Sequence, residues 1–535
     1  MRQLTKGENE QMARKEYLDY CWNHLVKPQI GYSFSIPHDI AYSIEAVQEA
    51  NLATRYNPLF WSCACLCVNA GSSATDFEDN GDEDYGDEEN FTSPWETDVD
   101  DDISDADEIK KTKSVPINYP KIAKAISDAQ QSGVQIMLPD INLAQLDFIP
   151  DIKHNAIVYS LSTITNINQE WAKAIIAGRP YSSLEDFMSH LTLTPVQMIS
   201  LIKAGSFDAI ENRPRQAIMR SYLEAYARTK VTFKEKVTAV HLGKAIEFGI
   251  VPDDYKSHVR MFNYKKWIDK NEKQADKKIY AIVDPDSVQF FERYLKDKMV
   301  LGKDYDTVPA GYTFKTSTFE KKYKEIMAPV MEWFSSNEGR QALYRAECED
   351  VVKSMWDKYC QGSLSTWEMS SMSFYYSGHE LANMKSLAYN LRSFKDLPEE
   401  LKPLRMKMLK SGKETPVYDV VGIAGTVVGA NNNKHIVTLL TPTGVVDVKF
   451  YAEAYIHYNK NISTVDTNGK KTMIEKSWFT RGNKLLIYGV RQENMFLPKT
   501  EFDKGIRHSV NLIESCSSEY PKLKFEREKT KNSSL

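Results

Sequence analysis

Residues 159–210, YSLSTITNINQEWAKAIIAGRPYSSLEDFMSHLTLTPVQMISLIKAGSFDAI, narrow what this chain can fold into more than any other stretch. Leu161 and Ile164 lie three apart, Thr165-Asn166-Ile167-Asn168 interrupt the run, and Trp171, Ala174 and Ile175 fall on one face of a helix that starts at Gln169. The outline is that of a helix-hairpin-helix, and an ordinary helical corner shares it. In such a hairpin the unpaired N–H groups at the start of the second helix hold a phosphate without reading a base. Asn168 is expected at the position glycine would fill most easily, because asparagine also enters the left-handed region. With Asn166 and Asn168, the nearby cations Lys173, Arg179, Lys203, Arg213 and Arg215 are the candidate contacts to a DNA backbone. Each real contact to a duplex would add about 0.9 to the salt slope of binding.

Charge distribution is compatible with that partner. The chain of 535 residues has a net charge of −5, but 17 acids and no Lys, Arg or His fall between Asp76 and Glu108. Elsewhere 56 acids face 68 bases, a surplus of about 12 positive charges suited to a DNA-binding surface. An apolar content of 42 % supports several packed cores. Seven cysteines in so long a chain do not form a disulfide framework and indicate reducing surroundings. Cys63, Cys65 and Cys67, in the apolar run LFWSCACLCV, read as buried thiols pointing in different directions rather than as metal ligands. No apolar signal segment opens the chain and no run of 18 apolar residues crosses it, so a membrane is not an expected partner.

The organisation expected is multidomain α+β. Residues 1–70 form a helical region, including a helix over 6–30 and another opened by Pro37. Residues 71–114 are an acidic spacer that cannot pack a core. Residues 115–230 hold the hairpin module. Residues 231–400 are a mixed helical region with a long helix over 318–362 and a strand followed by a helix capped by Asp286. Between 415 and 500 the hydrophobic period falls to two, in VYDVVGIAGTVVG, HIVTLL, VVDVKFY and LLIYGVRQ, which predicts a small OB-type barrel. Residues 501–535 read as a charged tail. On the barrel Lys449, Tyr451, Lys484 and Arg491 are candidates for a single strand, with Tyr451 or Phe496 free to stack on a base.

Three further stretches carry a family resemblance. They are YSFSIPHDIAY (32–42), followed by EAVQEANLATRYNPLFW, then AQQSGVQIMLPDIN (129–142) and FYYSGHEL (374–381). In this order, with the hairpin between the last two, they resemble the carboxy-terminal half of the C-family replicative DNA polymerases, the DNA polymerase III alpha subunits. Pro37 stands where the family has serine, and Glu380 where it usually has proline. The resemblance implies a fingers end at residues 1–70, with His38 and Arg55 on the nucleotide or template side. It also implies an OB domain after the Ser-Gly-His element. His379 reads as a turn-fixing residue, not a catalytic one.

The family's palm, with its three metal-binding aspartates, precedes the fingers, and no Asp-x-Asp in a plausible strand stands ahead of Tyr32. The expectation is a template- and primer-binding part with no catalytic residue and no cofactor of its own. A separate palm-containing polypeptide would supply Mg2+ and the chemistry. Primed template DNA and that polypeptide are the expected partners. For a sliding clamp the sequence offers only Gln341-Ala342-Leu343-Tyr344 and Gln289-Phe290-Phe291. The expected setting is the bacterial cytoplasm, with a phage as source. The competing reading is a non-enzymatic DNA-binding accessory protein of recombination or repair.

Overall fold

The computed structural model describes residues 18–23, 27, 36–70, 117–271, 278–408, 412, 414–465, 471–501, 505–516 and 519–528. The acidic spacer and most of the helix expected over 6–30 lie outside the described residues. Helix α1 (Ile36–Arg55) is followed by α2 (Pro58–Asn69), which Pro58 opens and the Asn57 side chain caps through Leu59 N. Of the three cysteines of α2, Cys63 is buried, and Cys65 and Cys67 are half-buried. Cys63 and Cys67 lie one turn apart on a shared face, and both thiols donate to the Phe148 carbonyl, at 3.2 and 3.4 Å. The three thiols are thus neither all buried nor all divergent.

Helix α3 (Tyr119–Gln131) leads into a three-stranded sheet of β1 (Gln135–Met137), β2 (Ile149–Asp151) and β3 (Ala156–Val158), in the order β1-β3-β2. Then come α4 (Gln169–Ala177), α5 (Leu184–His190), α6 (Pro195–Lys203), α7 (Asp208–Glu211) and α8 (Arg215–Lys230). Side chains of Asn168, Ser183 and Thr194 cap α4, α5 and α6, so the polar residues between the apolar runs fix where each short helix starts. One core gathers Ile122, Ile157, Leu161, Ile175, Phe187, Ile199, Phe207 and Met219.

The region expected as one block over 231–400 divides. Helices α9 (Ala239–Glu247) and α10 (Lys256–Asn271), strand β4 (Ile279–Ile282), α11 (Pro285–Tyr294), β5 (Tyr305–Val308), β6 (Gly311–Lys315) and α12 (Thr316–Ser335) enclose an aromatic core of their own, which includes Tyr280, Phe291, Phe314 and Phe319. Asp284 rather than Asp286 caps α11, because its side chain reaches Ser287 N, three residues on. The expected long helix breaks at Ser336, which caps α13 (Asn337–Tyr359). Leu343 of α13 belongs to this aromatic core. Val352, together with Trp367 and Met372 of α14 (Leu364–Met372), joins the hairpin core instead.

After a hairpin of β7 (Arg405–Met408) and β8 (Glu414–Val417) comes the barrel. Its strands are β9 (Val421–Asn431), β10 (Ile436–Thr441), β11 (Gly444–Lys449), β14 (Lys484–Gln492) and β15 (Met495–Pro498). Between β11 and β14 lie α15 (Ala452–Asn459) and the ribbon of β12 (Ile462–Val465) and β13 (Lys471–Glu475). The order β15-β11-β10-β9-β14 closes through a β15–β14 pairing, giving a five-stranded OB-type barrel. Val446, Val448 and Phe450 point into its core, as the alternation predicts. Residues 501–535 are not simply a tail. β16 (Val510–Ser515) pairs with β14 and β17 (Lys522–Lys524) with β16, while buried Arg527 bonds to Glu475 and the carbonyls of His457 and Lys476. Among the described residues there, Arg527 spends its charge inside the fold.

Candidate nucleic-acid interface

The hairpin differs in detail from its sequence outline. Residues 161–166 are consecutive turns rather than a helix, with Ile164 N bonded to Leu161 O and Ile167 N to Ile164 O. Burial of Leu161, Ile164 and Ile167 holds them in place. The left-handed residue is Asn166, with φ 68°, whereas Asn168 is extended, with φ −82° and ψ 174°. Asn168 is extended because it caps α4: its Oδ1 accepts Trp171 N at 3.0 Å. Asn166 Nδ2 donates to Ser200 Oγ at 3.0 Å, tying the turn to α6. Asn168, Gln169 and Glu170 are exposed, so the open N–H end of α4 faces solvent. The Glu170 carboxylate stands in that same first turn, where it already meets the positive end of the helix.

Two substitutions separate these roles. Asn166→Val forces a β-branched residue into the left-handed region and should cost about 1–2 kcal/mol or more. Asn168→Ala removes only the cap, at about 1 kcal/mol. Denaturant unfolding that ranks Asn168→Ala as the more damaging would contradict this assignment.

Of the five cations near the hairpin, Lys173 on α4 is exposed. The others are engaged within the fold. Arg179 donates to the carbonyls of Ile141 and Ala144, and burial lowers its pKa. Arg213 is half-buried and paired with Glu211 at 2.6 Å. Lys203 is buried, which pulls its pKa down to about 8. Arg215 is only 5 % exposed and bridges Asp208 and Glu368, so its charge is already met inside the protein. It also packs beneath the turn that follows α6, where Gly205 at φ 81° leaves no room for a Cβ: the Arg215 guanidinium would lie 2.6 Å from it. Sequence spacing placed these groups near the hairpin, but packing turned them inward.

The Ser-Gly-His element is a strap between the hairpin core and the barrel. Glu368, wholly buried, accepts from Tyr376 N, Ser377 N and Ser377 Oγ. His379 Nε2 donates to Leu440 O of the barrel at 2.8 Å, while its Nδ1 accepts from Leu381 N at 3.0 Å. That arrangement requires a neutral ring, and burial lowers its pKa from 6.5 to about 4. The stability contribution is therefore present above the unfolded pKa of 6.5 and is lost as pH falls towards 4. From pH 7 to pH 5 the loss should be on the order of 1–2 kcal/mol. Urea unfolding at both pH values should show it, and His379→Gln should flatten the dependence. An equal acid loss in the variant would remove His379 from the explanation.

On the barrel, Lys484 pairs with Glu380 at 2.9 Å, and Arg491 is committed to Glu399 and the carbonyls of Phe394 and Leu397. Phe496 is fully buried in the barrel and cannot stack on a base. These three expectations are corrected: Lys484 ties the barrel to Glu380, Arg491 ties it to the 394–399 turn, and Phe496 fills its core. Lys449 is half-buried and donates to the Lys434 carbonyl, whereas Tyr451 is 79 % exposed. Part of the outer β9–β11 face is covered by α3, where Pro120 Cγ lies 2.6 Å from a Cβ built on Gly429 and where Leu440 and Val445 pack. The open part is the end beside the 431–435 turn, with Lys449 and Tyr451. At the amino end His38 and Arg55 lie exposed on α1, His38 edge-on to Tyr42 at 4.5 Å. Among the described residues no group of three or more His, Cys, Asp or Glu is placed to hold a metal ion, and no helix is long and apolar enough to cross a membrane.

Two residues that the sequence did not single out organise the site. They are Glu368, which nothing in the local pattern marks, and Arg481, which precedes a turn glycine in Thr480-Arg481-Gly482-Asn483.

A helix-hairpin-helix joined to an OB-type barrel is the architecture of a nucleic-acid-binding protein. The family model for the helix-hairpin-helix motif matches residues 133–217. Over 512 residues, 94 % of this chain, the sequence is 36 % identical to "Probable DNA polymerase YorL" of Bacillus subtilis (strain 168), and equally to "DNA-directed DNA polymerase" of Bacillus phage SPbeta. A shorter match, 34 % over 105 residues, covers 18 % of this chain and 8 % of the DNA polymerase III subunit alpha of Thermus aquaticus. The chain is thus similar in sequence to DNA polymerases of a bacterium and a phage, and over shorter stretches to DNA polymerase III alpha subunits. It spans 36 % of the length of the Bacillus and phage relatives.

Proposed function

We propose that this chain is the template- and primer-binding carboxy-terminal part of a replicative DNA-directed DNA polymerase, working in the bacterial cytoplasm with a palm-containing polypeptide that supplies the chemistry. The observation that carries this reading is the match of nearly the whole chain to about a third of two polymerases, one of them from a phage. In this reading the exposed end of α4, with Asn166, Asn168 and Lys173, meets the duplex backbone. Lys449 and Tyr451 meet the single-stranded template. Mg2+ belongs to carboxylates of the palm-containing partner, where two ions would hold the primer terminus and the incoming triphosphate.

Helix α1 supports the reading over a free-standing accessory factor. Ile40, Ile44 and Val47 form an apolar row at helical spacing with 53, 53 and 61 % exposure, as expected of a fingers end that another part of the polymerase must cover. The test is fluorescence anisotropy with primed templates of unrelated sequence over a salt series. Affinity should be insensitive to sequence and fall steeply with salt. The reading is rejected if the folded chain does not bind primed DNA at low salt.

A further inference from the structure

Arg481 lies on the barrel but reaches the hairpin. Its loop is anchored to the barrel by Gly482 N to Val427 O at 2.9 Å and Val427 N to Asn483 O at 2.8 Å. Its guanidinium lies 3.7 Å from the ring centroid of Tyr119 at the start of α3, and Nη2 donates to Thr165 Oγ1 and Ser370 O, both at 3.4 Å. Tyr119 and Thr165 are themselves linked, at 3.4 Å between their hydroxyls. Thr165 is further fixed to the end of α14 by its N–H, 2.9 Å from Ser371 O. It immediately precedes Asn166, the left-handed residue of the hairpin turn. Arg481 Nε is buried with no hydrogen-bond partner. A packing role alone would be met better by an apolar side chain, because an unsatisfied buried N–H is costly. What the planar guanidinium supplies instead is a simultaneous grip on a ring and on two oxygens from separate segments.

We infer that Arg481 is a positioning residue that fixes the barrel relative to the hairpin, so that duplex and single-stranded template are held together at one junction. The inference rests on the function proposed above. Two weak sites held at a fixed spacing bind a joined ligand more tightly than either part, and a slack connection loses that gain. The seam is suited to this role because the Arg481 loop is bonded to Thr165, the residue next to the left-handed Asn166 of the hairpin turn.

The test compares three labelled DNAs at one salt concentration: a blunt duplex, a single strand, and a primed template containing both. The wild type should bind the primed template at least about 10-fold more tightly than the better component. Arg481→Met and the charge-retaining Arg481→Lys should each bind the components within about twofold of wild type while losing most of the junction gain. Folded variants that keep the full gain would overturn the inference, as would a parallel loss on all three DNAs, which marks general damage. Absence of any junction gain in the wild type would reject the proposed function itself. If the Met variant does not fold, the Lys variant decides. A measurement on the wild type is independent of both: single strand alone should raise hydrogen-exchange protection of amides 165–168, and no change there overturns the coupling.

Discussion

Glu368→Ala should lower the unfolding free energy by about 3–5 kcal/mol, the range for removing one partner of a buried ion pair. The carboxylate has no exposed surface and accepts from Arg215 Nη1 at 3.2 Å, Tyr376 N at 2.9 Å, Ser377 N at 2.8 Å and Ser377 Oγ at 2.6 Å. Alanine would leave two backbone donors and part of a guanidinium without their acceptor. Arg215 would retain Asp208 at 2.6 Å, which places the expected loss towards the lower end of the range. Glu368→Gln, which keeps the shape and one acceptor oxygen, should lose less. Pairing Glu368→Ala with Arg215→Met should cost less than the sum of the single changes, since the charge left behind is then gone. Urea unfolding gives all four values. A loss below about 1 kcal/mol for the alanine variant would mean that the strap is not held through this carboxylate.

The same carboxylate illustrates where sequence reasoning stops. The OB-type barrel was legible because Val446, Val448 and Phe450 alternate with Asp447, Lys449 and Tyr451, a period that reports burial directly. The hairpin was legible because Asn168 separates two apolar runs and a polar residue at that point starts a helix. Which asparagine enters the left-handed region was not legible, since either residue type tolerates it and only the cap geometry decides. The cations misled for a related reason. Arg215 and Lys203 stand beside the hairpin in sequence, but Lys203 is buried and the direction of Arg215 is set by Glu368, 153 residues away in the chain, a pairing that no local pattern encodes. Lys484, Arg491 and Phe496 likewise lie within the predicted barrel domain, yet their partners come from the strap, from the 394–399 turn and from the barrel interior. Strands beyond residue 500 escaped notice because Val510–Ser515 is short and carries Asn511 and Glu514 among its apolar residues.

The reading of this chain as the DNA-holding part of a two-part polymerase carries the largest expected effect on activity, and primer extension tests it most directly. The purified chain should bind a primed template yet extend it with none of the four nucleotides, because phosphoryl transfer needs metals held by rigidly placed acids. Supplying in trans the portion of the phage SPbeta polymerase that this chain does not match should restore magnesium-dependent extension. That extension should fall when Asn166 is replaced by valine or when His38 on α1 is altered. Robust extension by this chain alone, with contaminating polymerase excluded, would contradict the account.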